Sequence, residues 1–211
     1  MERIPKRKPI SELPYSPGLM AQSFWFVEFR NLVQLIVDKT MPEEIRRICV
    51  DENLFGLRKA RRIKDVYVFL RNRAAMLDDD GMRLLLDGDI GTQKLVNLVA
   101  IARGDRLLFE FLYEVYRNKL ILGQETLAHD DAIAFFHRKD GQSDTIRNWN
   151  DGTKTRLTSM YFKFMAEAGL VRVEGKNRRI TAPMVSDALR EYLVQSKDLA
   201  ILAAITGGAF Q

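Results

Sequence analysis

The sequence predicts a mainly α-helical protein, a helical bundle with an N-terminal helix-turn-helix-like unit and a C-terminal winged helix carrying one short β-hairpin. Three observations predict it. In segment after segment, apolar residues recur at i, i+3, i+4 and i+7, the period of a helix buried on one side. Only the stretch 170–181 changes to short extended runs, Leu170-Val171-Arg172-Val173 and Arg178-Arg179-Ile180-Thr181. Gly, Asn, Asp and Pro fall between the periodic segments, where turns need them.

Residues 1–14 are basic, contain Pro5, Pro9 and Pro14, and have little apolar content. They are expected to form a flexible arm. Tyr15-Ser16-Pro17-Gly18 opens the folded part, and a long helix is expected over about 19–38. Phe24, Val27, Leu32, Leu35 and Ile36 mark its apolar faces, widened by Trp25, Phe26 and Phe29. Thr40-Met41-Pro42-Glu43 has the form of a capping box, with Thr40 as N-cap of a helix that carries Ile45, Ile48 and Cys49 to about Glu52.

Asn53-Leu54-Phe55-Gly56 breaks that helix, and the next is expected over about 57–77. Ile63, Val66, Tyr67, Leu70 and Ala74 define its buried stripe, while Arg58, Lys59, Arg61, Arg62 and Lys64 crowd its first two turns. Cations at a helix N-terminus oppose the macrodipole, so this crowding is unfavourable unless an anion is received there. Phosphate fits, because the free backbone N–H groups of the first turn also attract it. The helix pair 41–52 and 57–77 therefore has the form of a helix-turn-helix. The competing explanation is a solvated charged face.

Asp78-Asp79-Asp80-Gly81 is expected to separate this unit from a short helix over 82–86, and 87–91 to be a loop. The acidic residues here do not follow the twelve-residue calcium-loop pattern, so no metal is expected. Helices over about 92–102 and 105–122 follow. This acidic middle is expected to be a helical core or a protein-contact surface.

The C-terminal module begins with a helix over 130–137, then a short one with Ile146 and Trp149. Asn150-Asp151-Gly152 breaks it, and Thr153 is the expected N-cap of the next helix. Leu157, Met160, Tyr161, Phe164, Met165 and Ala168 give that helix one buried face, and Gly169 ends it. Glu174-Gly175-Lys176-Asn177 joins the two extended runs as a hairpin loop. Helix, turn, helix and basic hairpin is the element order of a winged helix, whose second helix of the pair enters the major groove. Its solvent face would present Lys154, Arg156, Ser159 and Lys163, and the wing would add Lys176, Arg178 and Arg179. Winged helices also serve as protein-protein modules. A further helix is expected over 185–195, then an apolar tail from residue 197. The domain reading is thus 1–14 arm, 15–122 helical domain, 123–196 winged-helix-like domain and 197–211 tail.

Charge supports a polyanion partner. The chain has 211 residues and a formal charge of +5, unevenly spread. Residues 1–75 hold 15 Lys and Arg against 9 Asp and Glu; residues 76–137 hold 6 against 11; residues 138–211 hold 12 against 8. Two basic ends flanking an acidic middle are the footprint of a chain whose ends face nucleic acid.

Catalytic chemistry finds no support. There are two histidines, His129 and His137, and one cysteine, so no zinc spacing and no internal disulfide exist. His129-Asp130 has the form of a metal-phosphohydrolase dipeptide but lacks the further ligands such a site needs. No Walker A, G-x-S-x-G or dinucleotide glycine pattern occurs. The expectation is a non-enzymatic protein without cofactor. No secretory signal or membrane-spanning run is evident, so a membrane protein is not expected.

Across about 15–193 the sequence resembles the BrxA family, the small helical component of BREX phage-exclusion systems. The matching places are Tyr15-Ser16-Pro17-Gly18, Asn53-Leu54-Phe55 before the basic helix start, and Phe111-Leu112-Tyr113-Glu114-Val115. Trp149 with Thr153-Lys154 and Leu157, Ala168-Gly169-Leu170, and Arg178-Arg179-Ile180 with Pro183 follow. The resemblance implies a cytoplasmic, non-enzymatic accessory protein of antiviral defence that binds double-stranded DNA and works beside other BREX proteins. BREX systems mark host DNA by methylation and block replication of unmarked phage DNA. The family's helical body is also similar to NusB-type folds, which keeps RNA as an alternative ligand, and a scaffold role within the BREX complex as an alternative function.

Overall fold

The computed structural model describes residues 8–175 and 177–208, and helices dominate them. In chain order they are α1 (Phe26–Val37), α2 (Pro42–Arg46), α3 (Ala60–Ala74), α4 (Asp79–Asp87), α5 (Ile90–Gly104), α6 (Arg106–Phe111), α7 (Arg117–Ile121), α8 (His129–Gln142), α9 (Asp144–Arg147) and α10 (Asp151–Glu167). The hairpin β1 (Val171–Glu174) and β2 (Asn177–Ile180) follows, then α11 (Asp187–Gln195) and α12 (Leu199–Thr206). A π turn, Arg47–Asp51, extends α2, and another, Leu112–Tyr116, joins α6 to α7. The mainly α architecture with one short hairpin is the one the hydrophobic periodicity predicts.

Several boundaries differ from the sequence reading, each for a local reason. The 19–38 helix is divided: Gly18–Ala21 forms a 3-10 turn, and α1 starts only after Trp25, which is left-handed at φ 43. Thr40 does not cap α2; Met41 occupies that position and Pro42 supplies the pre-set first turn. Thr153 is not a cap either. The Asn150 side chain accepts from the Thr153 N–H at 2.8 Å, so α10 begins within the expected break. Residues 78–81 are not a separator but the start of α4, with Asp78 accepting from the Gly81 N–H.

The acidic middle finds its use here. Asp89 caps α5 by accepting from the Gly91 and Thr92 N–H groups, and Asp105 caps α6 through the Leu108 N–H. Carboxylates at helix N-termini satisfy free N–H donors and oppose the positive dipole end. With Asp78, three of the 11 acidic residues between 76 and 137 are thereby explained as caps.

One continuous apolar core runs from Leu19 to Ile205. Phe111 lies near its centre, with ring centroids 5.2 Å from Phe135, 5.3 Å from Tyr161 and 6.0 Å from Phe162. These contacts join α6 to α8 and α10. Between Thr92 and Arg103, α5 is buried at every residue except Lys94. The described part of the N-terminal arm is docked rather than free. Residues 10–12 form a 3-10 turn, Ile10 packs on the core, and Arg106 donates to the Ser11 carbonyl at 2.9 Å. The tail also packs back, with residues 201–205 of α12 buried.

The hairpin pairs Val171 with Ile180 and Val173 with Arg178. Gly175 takes φ 62 in its turn, a conformation open to glycine. Residues 125–127 pair with the other edge of β2: Ile180 N–H donates to the Glu125 carbonyl and Leu127 N–H to the Arg178 carbonyl. The alternating sequence pattern marks two extended runs, not this third piece.

Ion pairs tie distant elements together. Arg103, 2% exposed, donates to Asp198 at 2.6 and 3.0 Å, to the Tyr192 hydroxyl and to the Met76 carbonyl. Lys139, also 2% exposed, pairs with Glu110 at 2.6 Å and Glu114 at 2.5 Å. Glu110 also accepts from Arg106 and the Tyr15 hydroxyl. Burial alone would raise the Glu110 carboxyl; hydrogen bonds from Lys139 and Arg106 outweigh it and hold it below its ordinary value.

These pairs set measurable stabilities. Asp198→Ala leaves the Arg103 guanidinium buried without its carboxylate, and should lower unfolding free energy in urea by about 3–5 kcal/mol. A loss under about 1 kcal/mol would mean the pair is not needed. A carboxyl held low in the native state stabilises above its unfolded pKa and loses that contribution as pH falls through its native one. Stability should therefore decline below the ordinary Glu value of 4.5, and Glu110→Gln should flatten that acid limb. Urea midpoints measured from pH 3 to 7 test this.

Candidate nucleic-acid interface

The cations singled out from the sequence fall into two sets. The first lies at the start of α3. Asn53 holds the turn before it, its side chain bonding both the N–H and the carbonyl of Leu57 at 3.0 and 2.9 Å. Helix α3 therefore begins at Ala60, not at residue 57. Arg58 and Lys59 stand on the approach, while Arg61, Arg62 and Lys64 occupy the first turns. Lys59 is the N-cap position and makes no side-chain cap, and the first turn holds no acidic residue. Arg58, Lys59, Arg61 and Lys64 are exposed, and among the described residues none of them makes an ion pair or side-chain hydrogen bond.

Arg62 differs. It donates to the Ala21 carbonyl at 3.1 Å, and its guanidinium lies 5.1 Å from the Trp25 ring centroid. It clamps the Gly18–Trp25 segment onto α3, so its charge is partly engaged inside the fold.

The second set belongs to α10 and the hairpin. Arg156 and Lys163 are exposed on α10, and Arg179 on β2. Arg178 is half-buried with its guanidinium 4.1 Å from the Phe162 ring centroid. Lys154, expected on the solvent face, is instead paired with Asp140 of α8 at 2.7 and 2.8 Å and only 15% exposed. Position 154 faces α8 because it lies three residues before Leu157 and four before Thr158, both buried, so it shares their inward face. Ser159 bonds back to the Thr155 carbonyl within its own helix. Lys176 lies outside the described residues.

Lys163, Arg178 and Ser159 line a groove of about 460 Å³ with Phe162, Ala166, Glu167, Val173 and Lys94. Lys94 carried no sequence signal as a site residue. It sits in the otherwise buried α5, and its place beside the hairpin is set by packing between residues some 70 positions apart.

Both histidines line a separate cleft of about 390 Å³ between α8 and α10, with Ile133, Asp140, Asp151 and Lys154. No group of three or more His, Cys, Asp or Glu residues that could hold a metal occurs among the described residues. Cys49 is buried, and burial pushes its thiol up to about 11, which leaves it a poor nucleophile. No helix among the described residues is long and apolar enough to cross a membrane.

Comparison with known proteins agrees with this architecture. The BrxA family model matches residues 13–197. The chain is 30% identical over 185 residues to the BREX protein BrxA of Bacillus cereus (strain H3081.97), spanning 87% of this chain and 92% of that relative. The fold is similar to the crystal structure of an uncharacterized protein from Magnetospirillum magneticum, with a TM-score of 0.79 at 18% identity over 92% of this chain and 99% of that one. The chain belongs to the BrxA family of BREX phage-defence systems.

The two kinds of cation should separate by stability. Lys154→Met strands Asp140 and should lower unfolding free energy by about 1–2 kcal/mol. Arg156→Ala, at an exposed and unpaired position, should stay within about 0.5 kcal/mol of the parent chain. Equal losses at both positions in chemical denaturation would contradict this assignment.

Proposed function

We propose that this chain is a non-enzymatic DNA-binding accessory protein of its BREX system, holding duplex DNA mainly through phosphates. The observation that supports it most is the unpaired basic start of α3. Arg58, Lys59, Arg61 and Lys64 crowd the positive end of a helix dipole with no acid among them. Such a grouping is locally unfavourable, and a phosphate reverses the sign of the interaction.

The second support is the element order α8, α9, α10, hairpin, which we take as a winged-helix module. Helix α10 would then enter the major groove and the hairpin would lie alongside. Arg156, Lys163, Arg178 and Arg179 are its contributions. Lys and Arg dominate both surfaces, and the Asn and Gln side chains that read adenine are scarce on them, which favours phosphate contact over base readout. Methylation and energy-driven steps of the defence then fall to other proteins of the system. RNA of equal length is the competing ligand.

Fluorescence anisotropy with a labelled duplex of about 30 base pairs, titrated at several salt concentrations, tests the proposal. Binding should weaken steeply with salt, by about 0.9 in log K per log salt for each phosphate neutralised. The double variant Arg58→Ala, Arg61→Ala should lose affinity for all sequences alike and shallow the slope by about 2. Arg62 is left in place because it clamps the fold. Absence of binding by the parent chain at low salt would overturn the reading, as would stronger competition by RNA than by DNA.

A further inference from the structure

We infer that the groove between the second half of α10, the hairpin and α5 is a seat for the phosphodiester backbone of duplex DNA, and that Lys94 is a contact within it. The inference rests on the DNA-binding reading and adds a surface that links its two basic sets.

Burial supplies the first argument. Within the run from Thr92 to Arg103, the one residue that is not buried is Lys94. Between its exposed ends the helix thus opens to solvent at one cation, and it opens into this groove. Charge supplies the second. Lys94, Lys163 and Arg178 face the groove against one carboxylate, Glu167. None of these four groups is in an ion pair among the described residues. The surplus of positive charge is unneutralised among the described residues, so the complementary occupant is an anion. The apolar lining supplies the third. Phe162 forms part of it under the Arg178 guanidinium, and Val173, 59% exposed, stands on the hairpin. Cations for phosphate beside apolar surface for sugar match a nucleic-acid strand better than a small, fully charged ion.

Continuity supplies the fourth. The Lys94 ammonium lies 6.0 Å from the Phe26 ring centroid, and the Arg30 guanidinium lies 6.0 Å from the same ring. The preceding residue, Trp25, carries Arg62 at 5.1 Å and stacks on Phe69 of α3 at 6.1 Å. The dipeptide Trp25-Phe26 therefore bridges the basic start of α3 to the groove. The two cation sets are joined by alternating aromatic rings and cations, and a strand bound at one is led toward the other.

The test uses the full chain and the same 30-base-pair duplex. Lys94→Gln keeps the stem over Phe26 and removes the charge. It should bind about 3- to 10-fold more weakly at low salt and shallow the salt slope by about 1. Lys94→Arg should restore both. Arg190→Gln, an exposed cation of α11 outside the groove, controls for net charge and should change affinity less than 2-fold. Circular dichroism confirms that each variant is folded. If Lys94→Gln behaves like Arg190→Gln while Arg58→Ala, Arg61→Ala still loses affinity, the groove is not a backbone seat and the DNA-binding reading stands. If the parent chain does not bind duplex, both fall. A loss confined to single-stranded RNA would overturn duplex DNA as the occupant.

Discussion

One buried guanidinium fixes the segment that lies between the two basic sets. Arg73 of α3 is 4% exposed and has no carboxylate bonded to it. It donates to the Phe24 carbonyl at 2.6 Å, the Ser23 carbonyl at 3.0 Å, the Asn97 side chain at 3.1 Å and the Gln22 side chain at 3.3 Å. Asn97 in turn donates to the Phe24 carbonyl. These bonds absorb the backbone carbonyls of residues 23 and 24 that a continuing helix would have used, and the helix is interrupted there. Trp25 takes a left-handed conformation, and its ring and that of Phe26 are delivered to the half-exposed positions where Arg62 and Lys94 meet them. Burial pushes the Arg73 pKa down to about 9, so the charge is retained at neutral pH. The chain keeps a desolvated cation because its hydrogen bonds fix a local geometry that an apolar side chain would leave undefined.

Arg73 is one of three cations that hold the fold from inside. Arg103 ties α5 to the start of α12, and Lys139 ties α8 to α6 and the π turn after it. Each lies in phase with an apolar stripe. Arg73 is three residues after Leu70, Arg103 four after Val99, and Lys139 three after Phe136. A cation at a stripe position must be desolvated when the stripe packs, and it persists where carboxylates or carbonyls receive it. The cations proposed to meet DNA obey the opposite rule. Arg58, Arg61 and Lys64 lie off the α3 stripe, Arg156 and Lys163 adjoin only Met160, the partly buried edge of the α10 stripe, and none of the five has an intramolecular acid among the described residues. Phase relative to the apolar stripe thus sorts structural cations from available ones, and that phase is a property of the amino-acid sequence alone.

The order of helices and the hairpin was legible because it rests on local periodicity. Boundaries were less so, because capping competes among neighbouring polar residues. Asn150 rather than Thr153 begins α10. Lys154 leaves the solvent face because it lies in phase with buried Leu157 and Thr158 and meets Asp140 of α8. Asp78, Asp89 and Asp105 resemble an acidic surface when counted as charge, yet each is engaged by N–H groups of a helix start. The interruption at Trp25 and the position of Lys94 left no local trace. Both are set by side chains that arrive from far along the chain: Arg73 and Asn97 for the first, the hairpin and α10 for the second.

The net charge of the chain understates the field that a polyanion would meet. Net charge counts every carboxylate equally, but an acid used as a cap or paired with a buried cation is already neutralised at short range. Asp89 and Asp105 serve helix starts; Glu110, Asp140 and Asp198 serve Lys139, Lys154 and Arg103. Capping engages acids alone and pairing engages both signs, so several cations are left grouped without an acid bonded to them. Unpaired cations group at the start of α3, along α10 and on the hairpin, while others such as Arg138 and Arg190 stand apart from these groups. A screened interaction decays over about 8 Å at physiological salt, so this local sorting sets the attraction and a distant surplus does not. Folding therefore creates the basic surface by engaging acids elsewhere, and the same buried pairs that hold the elements together decide which cations are left to act.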